Sequence, residues 1–170
     1  MEFIKISSSS DYRIQEIVNS YCTSFPEAER RNEKQFKNLF SQPCVNILSI
    51  FHENENIGYL VIWKLSGFVF VEHFEVFERF RNKKYGSEVI SHLFQEYPKI
   101  VLEIEPETLD DLAKRRYHFY QRNSFSIIDE NYIQPSYGDG KPSLELWLLS
   151  NFPTENTLQI REEIYDVVYK

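Results

Sequence analysis

A short basic stretch in the middle of the chain carries residue types that bind phosphate groups. Residues 76–87 read Val-Phe-Glu-Arg-Phe-Arg-Asn-Lys-Lys-Tyr-Gly-Ser and lie between a strand-like and a helix-like segment. The first backbone N–H groups of a helix lack intrahelical partners, and the helix dipole adds partial positive charge there. Gly86 leaves room for a phosphate to approach the backbone, and the Ser87 hydroxyl is a further donor. The stretch therefore predicts a pyrophosphate site at the start of a helix.

The flanking residues predict the elements that must position this site. Runs of β-branched and aromatic residues predict strands at residues 2–6, 45–52, 57–65, 68–76, 100–104, 125–133 and 144–149. Apolar residues at helical spacing predict one helix that begins near residue 11 and others at residues 33–41, 86–97, 109–122 and 154–169. Ser66-Gly67 predicts a hairpin turn. This order predicts an α+β fold in which helices flank a mixed, mostly antiparallel sheet of about seven strands.

Length and charge narrow the class of protein. A chain of 170 residues that is 42% hydrophobic favours one domain with one core, at residues 1–150, followed by an amphipathic helical tail at residues 151–170. We expect the tail to pack on the domain or on a partner subunit, in a monomer or a homodimer. No apolar run reaches the length of a membrane span and no signal peptide is evident, so we expect a cytoplasmic protein without membrane contact. The net charge of −7 argues against nucleic-acid binding and is compatible with a cationic substrate.

Cysteine and histidine usage argues against disulfide and metal chemistry. Cys22 and Cys44 are too few for a disulfide scaffold or a cysteine metal cage. The histidines fall in separate predicted elements without ligand spacing, at positions 52, 73, 92 and 118. We therefore expect no metal cofactor. A Gly-x-Ser-x-Gly elbow, which would favour a serine hydrolase, is also missing.

The basic stretch resembles the cofactor signature of the GNAT superfamily of N-acetyltransferases. That signature is a strand end, four variable residues and then Arg/Gln-x-x-Gly-x-Gly/Ala at the start of a helix. The chain matches it at Val76, Arg81 and Gly86 and departs from it at Lys84, where glycine is usual. The resemblance implies the GNAT acyl-CoA N-acyltransferase fold with acetyl-CoA as co-substrate. It also implies that the cofactor is bound by the backbone of a splayed strand at Phe74 and Val76 and by the loop residues Arg81, Asn82, Lys83, Lys84, Tyr85, Gly86 and Ser87.

A second stretch, at residues 117–125, is similar to the family's Phe-Tyr-x-x-x-Gly-Phe helix end. Asn123 is expected to take the left-handed conformation that ends the helix, and Ser124 stands where the family prefers glycine. Ala113 replaces an asparagine that often contacts the cofactor. The resemblance implies that Tyr120 is the acid that protonates the leaving thiolate, and the alternative is that Tyr120 is a core residue.

The family's reaction is direct attack of an amine on the thioester, which requires a base. Glu72 is the candidate, since it lies on the strand that leads into the cofactor loop, and desolvation there is expected to raise its pKa. Alternation along the strand places His73 on the opposite face, together with Glu75. The alternatives are that Glu72 is a cross-strand charge partner or that a chain of water molecules acts as the base.

Two clusters are candidates for binding the acceptor amine. Glu27, Glu29 and Arg30 lie between the first two helices, where carboxylates suit a cationic amine and where a solvated loop is the alternative. Tyr132 and Tyr137 flank the start of the last long loop, and aromatic walls are common in small-molecule sites. These features predict acetyl transfer from acetyl-CoA to a primary amine of a small molecule or peptide. The alternative is a non-catalytic GNAT-like module that binds acyl-CoA or regulates. The sequence leaves the identity of the amine and the acyl-chain preference open.

Overall fold

The elements follow the order expected from the periodicity of the sequence. The computed structural model describes residues 1–170. Its strands and helices are β1 (Glu2–Ile6), α1 (Ile14–Ser24), α2 (Glu33–Asn38), β2 (Val45–His52), β3 (Glu55–Lys64), β4 (Val69–Val76), α3 (Tyr85–Glu96), β5 (Ile100–Ile104), α4 (Asp111–Arg122), β6 (Ser126–Gln134), β7 (Leu144–Ser150) and α5 (Thr157–Val168). Short 3₁₀ turns occupy Glu27–Glu29, Leu39–Ser41 and Glu78–Phe80. None of the helices is long and apolar enough to cross a bilayer.

One seven-stranded sheet organises the molecule, in the order β1-β2-β3-β4-β5-β7-β6. Only β4 and β5 run parallel, and the other neighbours are antiparallel. The parallel pair is joined through α3, because parallel strands require a crossover connection. The prediction of a mixed, mostly antiparallel sheet of about seven strands flanked by helices is confirmed.

Helices α4 and α5 begin at Asp111 and Thr157 rather than at residues 109 and 154, and two other helix boundaries differ from the sequence prediction for local reasons. The first helix begins at Ile14 rather than near Asp11, because Asp11 Oδ1 accepts hydrogen bonds from the backbone N–H and from Nε of Arg13, at 3.0 and 2.8 Å. The α-helix predicted at residues 33–41 ends at Asn38 and continues as the 3₁₀ turn Leu39–Ser41. Both differences lie at element ends, where hydrogen-bond geometry rather than hydrophobic period decides.

The sheet opens between β4 and β5. The paired residues are Val69 with Ile100, Phe70 with Val101 and Val71 with Leu102, and pairing ends there. Beyond Val71, β4 remains paired with β3 on its other edge as far as Val76. The edge of β4 that faces β5 therefore presents backbone groups without a partner strand along its second half, where the Val76 carbonyl oxygen accepts from Arg81 Nε at 3.0 Å.

A β-bulge interrupts β4 at Glu72. On β3, the adjacent residues Val61 and Ile62 pair with His73 and Val71, so Glu72 is the extra residue. The bulge brings Glu72 and His73 to the same side, with 3.8 Å between Glu72 Oε1 and His73 Nε2. The prediction that these side chains occupy opposite faces is therefore wrong, because it assumed regular alternation.

The C-terminal helix α5 lies against the sheet of its own chain. Ile160, Ile164 and Val168 are buried, whereas Leu158 and Val167 of the same apolar stripe are exposed. Helix α5 is also tied down by polar contacts, since a guanidinium nitrogen of Arg31 donates to the Val168 carbonyl oxygen at 2.7 Å. The segment after α5 is thereby placed near β4 and β5.

Candidate active site

A cleft of about 530 Å³ opens at the start of α3, and we call it the α3 cleft. It is lined by Val76, Phe80, Arg81, Asn82, Lys84, Tyr85, Gly86, Ser87, Phe119 and Arg122. All the loop residues predicted to bind the cofactor line it except Lys83, whose Nζ lies 5.4 Å from the centre of the Phe80 ring. The loop and the C-terminal end of α4 are thus brought together around one open space.

The N-terminus of α3 has free hydrogen-bond donors. No side chain caps it. The first hydrogen bonds of the helix are donated by the backbone N–H groups of Ser87 and Glu88 to the Lys84 carbonyl oxygen, at 3.1 and 3.4 Å. The N–H groups of Tyr85 and Gly86 precede these and have no intrahelical acceptor. Together with the helix dipole they form a site suited to an anion.

The backbone is left-handed at both positions where the family has glycine and this chain has another residue. Lys84 has φ 66° and Ser124 has φ 66°. Asn123 has φ −99°, so the prediction that Asn123 takes the left-handed conformation is wrong, and the next residue does so instead. A left-handed conformation costs a residue with a Cβ roughly 1–3 kcal/mol. The backbone geometry of these turns is therefore kept even though glycine is not.

Glycine is favoured at position 86 for a second reason, besides the access of a phosphate to the loop backbone. A Cβ there would lie 3.2 Å from two ring carbons of Phe119, so a side chain would press α3 against α4. Sequence reasoning did not single out Arg122, which lines the cleft from the last turn of α4. Its position within the second family-like stretch, next to Asn123, was the available signal.

A second space, of about 80 Å³, lies in the gap between β4 and β5, and we call it the splay cavity. It is lined by Phe25, Glu29, Val71, Glu72, His73, Phe74, Leu102, Glu103, Ile104, Glu105, Arg116, Tyr120, Gln134 and Leu146. Strand β4 joins the two spaces, since Phe74 lines the splay cavity and Val76 lines the α3 cleft.

Tyr120 contributes a protonated hydroxyl to the splay cavity. Its side chain is buried among the rings of Phe119 and Phe125, at centroid distances of 5.1 and 5.5 Å. Burial raises the pKa of Tyr120 to about 12, against the opposing influence of Arg116. The hydroxyl therefore carries its proton at neutral pH and can donate it.

Glu72 is the centre of a buried polar group that we call the Glu72 cluster, which comprises Arg31, Trp63, Glu72 and Tyr137. The carboxylate accepts from Arg31 Nε at 2.9 Å, from Trp63 Nε1 at 2.6 Å and from the Tyr137 hydroxyl at 2.9 Å. Burial opposes ionisation, but Arg31 and these hydrogen bonds outweigh it and lower the pKa of Glu72. The prediction of a raised pKa is wrong. A carboxylate held in this way is poorly suited to take a proton from substrate.

His73 is held neutral next to this cluster. Its Nε2 lies 3.1 Å from the Tyr21 hydroxyl, and its Nδ1 is buried without a hydrogen-bond partner. Burial lowers the pKa of His73 to about 4, although the Glu72 carboxylate opposes the shift. The imidazole is therefore uncharged at neutral pH.

Of the predicted acceptor residues, only Glu29 reaches the splay cavity. Burial raises the pKa of Glu29. Glu27 is exposed, and Arg30 Nε donates to the Phe25 carbonyl oxygen at 3.1 Å. Tyr137 belongs to the Glu72 cluster, and Tyr132 is fully buried, so neither forms an open wall of the cavity.

Glu103 is a polar residue of the cavity that sequence reasoning missed. It lies in β5, a strand that is otherwise apolar. Its Oε1 accepts from the Tyr169 hydroxyl, and its Oε2 is buried without a hydrogen-bond partner. Burial raises the pKa of Glu103 to about 7, although Tyr169 and Tyr132 oppose the shift. A lone charged residue in a buried strand was the available signal.

The comparisons with known proteins identify the family of the chain. The sequence profile of the Acetyltransferase (GNAT) family matches residues 12–125. The chain belongs to the GNAT acetyltransferase family. It is therefore an acyltransferase by family, and its sheet and helices match the GNAT fold. A sequence search of curated proteins finds no significant match.

Solved structures show the same fold across most of the chain. A Bacteroides thetaiotaomicron protein assigned to the GNAT acetyltransferases is 28% identical, with a TM-score of 0.90 over 99% of this chain and 98% of that one. A GNAT acetyltransferase from Elizabethkingia anophelis, solved with acetyl-CoA bound, is 15% identical, with a TM-score of 0.58 over 88% and 95%. An aminoglycoside 6'-N-acetyltransferase complexed with coenzyme A is 12% identical, with a TM-score of 0.63 over 92% and 100%. The last two similarities establish the fold alone.

Proposed function

We propose that this GNAT protein transfers an acetyl group from acetyl-CoA to a primary amine that arrives as a cation, by direct attack within a ternary complex. The observation that carries the proposal is the gap between β4 and β5. It begins after Val71 and Leu102 and contains the Tyr120 side chain at its edge. One end of this half of β4 lies at the splay cavity and the other at the uncapped start of α3.

The cofactor fits this path by its chemistry. The pyrophosphate suits the free N–H groups at the start of α3, where Lys84 and Arg122 supply positive charge. Arg81 also lines the cleft, but its guanidinium pairs with Glu75 at 3.1 Å. The pantetheine amides suit the unpaired edge of β4 from Phe74 to Val76, in the way that an added strand pairs with a sheet edge. This arrangement directs the thioester into the splay cavity, next to Tyr120.

The residues around the thioester support direct transfer. An amine that attacks the carbonyl carbon breaks the C–S bond, and the departing thiolate needs a proton. Tyr120 is the proposed donor, because its raised pKa keeps the hydroxyl protonated at neutral pH. The backbone groups of Phe74 on the unpaired edge of β4 are the proposed donors to the developing oxyanion.

The charge around the splay cavity favours a cationic acceptor. The carboxyl groups of Glu29, Glu103 and Glu105 come from residues that line the cavity, and Arg116 pairs with Glu105. Together with the net charge of −7, the excess of carboxylates raises the local concentration of cations. Polyamines, amino sugars and basic peptides meet this requirement.

Ligand-dependent stabilisation tests the cofactor half of the proposal. Acetyl-CoA should raise the melting temperature of the parent protein, because a ligand that binds only the folded state stabilises it. Gly86→Glu should abolish the shift by placing a negative side chain at the phosphate site. Gly86→Ala is the matched control for displacement of Phe119, and it should keep most of the shift. No shift at millimolar acetyl-CoA in the parent protein would contradict the proposal.

Release of free CoA thiol tests the acceptor half. We expect cationic amines to release CoA faster than neutral or acidic amines, and added salt to slow the reaction of the cations. A preference for neutral or acidic amines, or an absence of any salt effect, would overturn the cationic-acceptor proposal. Stabilisation by acetyl-CoA without CoA release from any amine would instead indicate a non-catalytic acyl-CoA-binding module.

A further inference from the structure

Unpaired polar atoms converge on the splay cavity. Glu103 Oε2, Gln134 Nε2 and His73 Nδ1 are all buried without a hydrogen-bond partner. All three residues line the cavity, and Gln134 is only 2% exposed. A buried polar atom without a partner costs roughly 1–3 kcal/mol, so a group of them at one cavity indicates that a polar ligand or water completes the site.

We propose that Glu103 is the base that takes a proton from the substrate ammonium, and that Tyr169 positions its carboxyl group. The proposal rests on the acetyl transfer proposed above. Glu103 differs from Glu72 in the way a base requires. Glu72 accepts three hydrogen bonds from protein groups, whereas Glu103 accepts one from Tyr169, and the only hydroxyl close to its second oxygen is that of Tyr132, which has no other partner.

The groups that face Glu103 tune its basicity. Burial is the main cause that disfavours the ionised form, and Glu72 of β4 and Glu29 of the turn after α1 add like charges. Tyr169, which follows α5, and Tyr132 of β6 stabilise the ionised form through their hydroxyl groups. The resulting pKa of about 7 lies near a neutral working pH, where a general base is most effective.

With Glu103 as base and Tyr120 as acid, every proton in the reaction is accounted for. The Glu103 carboxylate takes one proton from the ammonium, and the freed lone pair forms the new N–C bond at the thioester carbonyl carbon. The C–S bond then breaks, and the thiolate takes the Tyr120 proton. The second N–H proton of the adduct passes to the Tyr120 phenolate, and Glu103 releases its proton to water. One ammonium and one thioester thus yield an amide, a thiol and one free proton.

Tyr169 makes the segment after α5 part of this site. Its hydroxyl donates a hydrogen bond to Glu103 Oε1, and its ring lies 5.3 Å from that of Tyr137. Helix α5 places it, since Val168 is buried and accepts a hydrogen bond from Arg31. Removing the Tyr169 hydroxyl should therefore change the pKa of Glu103 without removing the base.

The decisive experiment compares Glu103→Gln with Glu130→Gln. Both remove one carboxylate, but Glu130 is an exposed residue of β6. At pH 7, Glu103→Gln should lower kcat/KM at least a hundredfold while the melting-temperature shift with acetyl-CoA is unchanged. Glu130→Gln should leave both kcat/KM and the melting-temperature shift as they are in the parent protein. Glu103→Asp should restore part of the activity. If the parent releases CoA and Glu103→Gln stays within threefold of it, Glu103 is not the base. If the parent releases no CoA, the proposed function fails first and this assignment falls with it.

The pH profile tests the role of Tyr169. In the parent protein, kcat/KM should rise with pH through an apparent pKa near 7, and Glu103→Gln should lose this limb. Tyr169→Phe removes the hydrogen bond that favours the carboxylate, so the limb should move to higher pH while the maximal rate changes little. An unmoved limb in Tyr169→Phe would overturn the positioning role, and a limb that persists in Glu103→Gln would overturn the proposal.

Discussion

The α3 cleft and the splay cavity lie at opposite ends of the same half-strand, yet they are built in opposite ways. The cleft comes mostly from consecutive residues, offers backbone N–H groups and is open to solvent. The cavity takes its lining from β4, β5, α4, β6, β7 and the turn after α1, and it offers buried side chains. Under the proposed function, the first region would hold the phosphates of the cofactor and the second would hold the acceptor amine.

The two regions also differ in electrostatic strength. Arg81, at the cleft, has a side chain that is 47% exposed, so water and salt screen its charge. Glu72, beside the cavity, has a side chain that is 0% exposed, so its interactions are little screened. We therefore expect substitutions near the cavity to have larger effects than substitutions in the cleft.

The largest expected effect is the loss of Arg31. Arg31→Met leaves the buried Glu72 carboxylate without its cation, and we expect it to lower the free energy of unfolding by about 3–5 kcal/mol in urea titrations. The double variant Arg31→Met with Glu72→Gln should recover part of this loss, because no charge then stays buried. A loss below about 1 kcal/mol would show that the cluster is as well solvated as the cleft, and the comparison would fail.

Opposite pH dependences of stability should separate Glu103 from His73. The pKa of Glu103 is raised to about 7, so its contribution to stability is present below the unfolded value of 4.5 and is lost as pH rises through 7. The pKa of His73 is lowered to about 4, so its contribution is present above 6.5 and is lost as pH falls through 4.

Melting curves of two variants between pH 4 and 8 measure these contributions. Relative to the parent protein, Glu103→Gln should gain stability as pH rises, and His73→Asn should gain stability as pH falls. Each shift corresponds to an order of 3 kcal/mol over its full window. Parallel curves for parent and variants would mean that neither group is buried as described.

Tyr120→Phe tests the chemistry at the point where the two regions meet. It removes a hydroxyl and little volume, so turnover should fall roughly a hundredfold while acetyl-CoA affinity is nearly unchanged. Tyr117→Phe is the matched control on the same helix, where the ring packs against Trp147 at 5.4 Å. If Tyr120→Phe loses stability and activity in equal measure, Tyr120 is a core residue and not the acid.

The smallest expected effects concern Lys84 in the cleft. Lys84→Gly should be more stable than Lys84→Ala by about 1 kcal/mol, because only glycine takes φ 66° without strain. Both variants lack the ammonium group, and calorimetry should show acetyl-CoA binding weakened by about 1 kcal/mol in each. Affinity equal to the parent in both would show that Lys84 does not contact a phosphate.

The contiguous parts of the molecule were predictable from sequence. Strand and helix order followed from the hydrophobic period, and the α3 cleft followed from residues 76–87, because backbone donors at a helix start depend on local structure alone. The left-handed residue at the end of α4 was predicted one position too early, at Asn123 instead of Ser124, although Ser124 stands where the family has glycine.

The splay cavity was predicted poorly because its contacts are distant in sequence. Glu103 and Tyr169 are 66 residues apart, and Arg31 and Glu72 are 41 apart. The pKa of Glu72 depends on Arg31, whose partner no periodicity indicates. Position on the strand before the cofactor loop therefore made Glu72 the predicted base, whereas the proposal of Glu103 depends on contacts that only the structure shows.

The bulge in β4 has a consequence for how relatives are aligned. The extra residue at Glu72 breaks the alternation of side chains along β4. Counted from the start of the strand, every side chain after Glu72 points to the opposite face from the one that regular alternation would give. An alignment that treats β4 as a regular strand, without a gap there, would match side chains that point in opposite directions. Transfer of residue roles between homologues is thus sensitive to one insertion or deletion, and a descendant that lost this residue would present a different set of side chains to the same substrate.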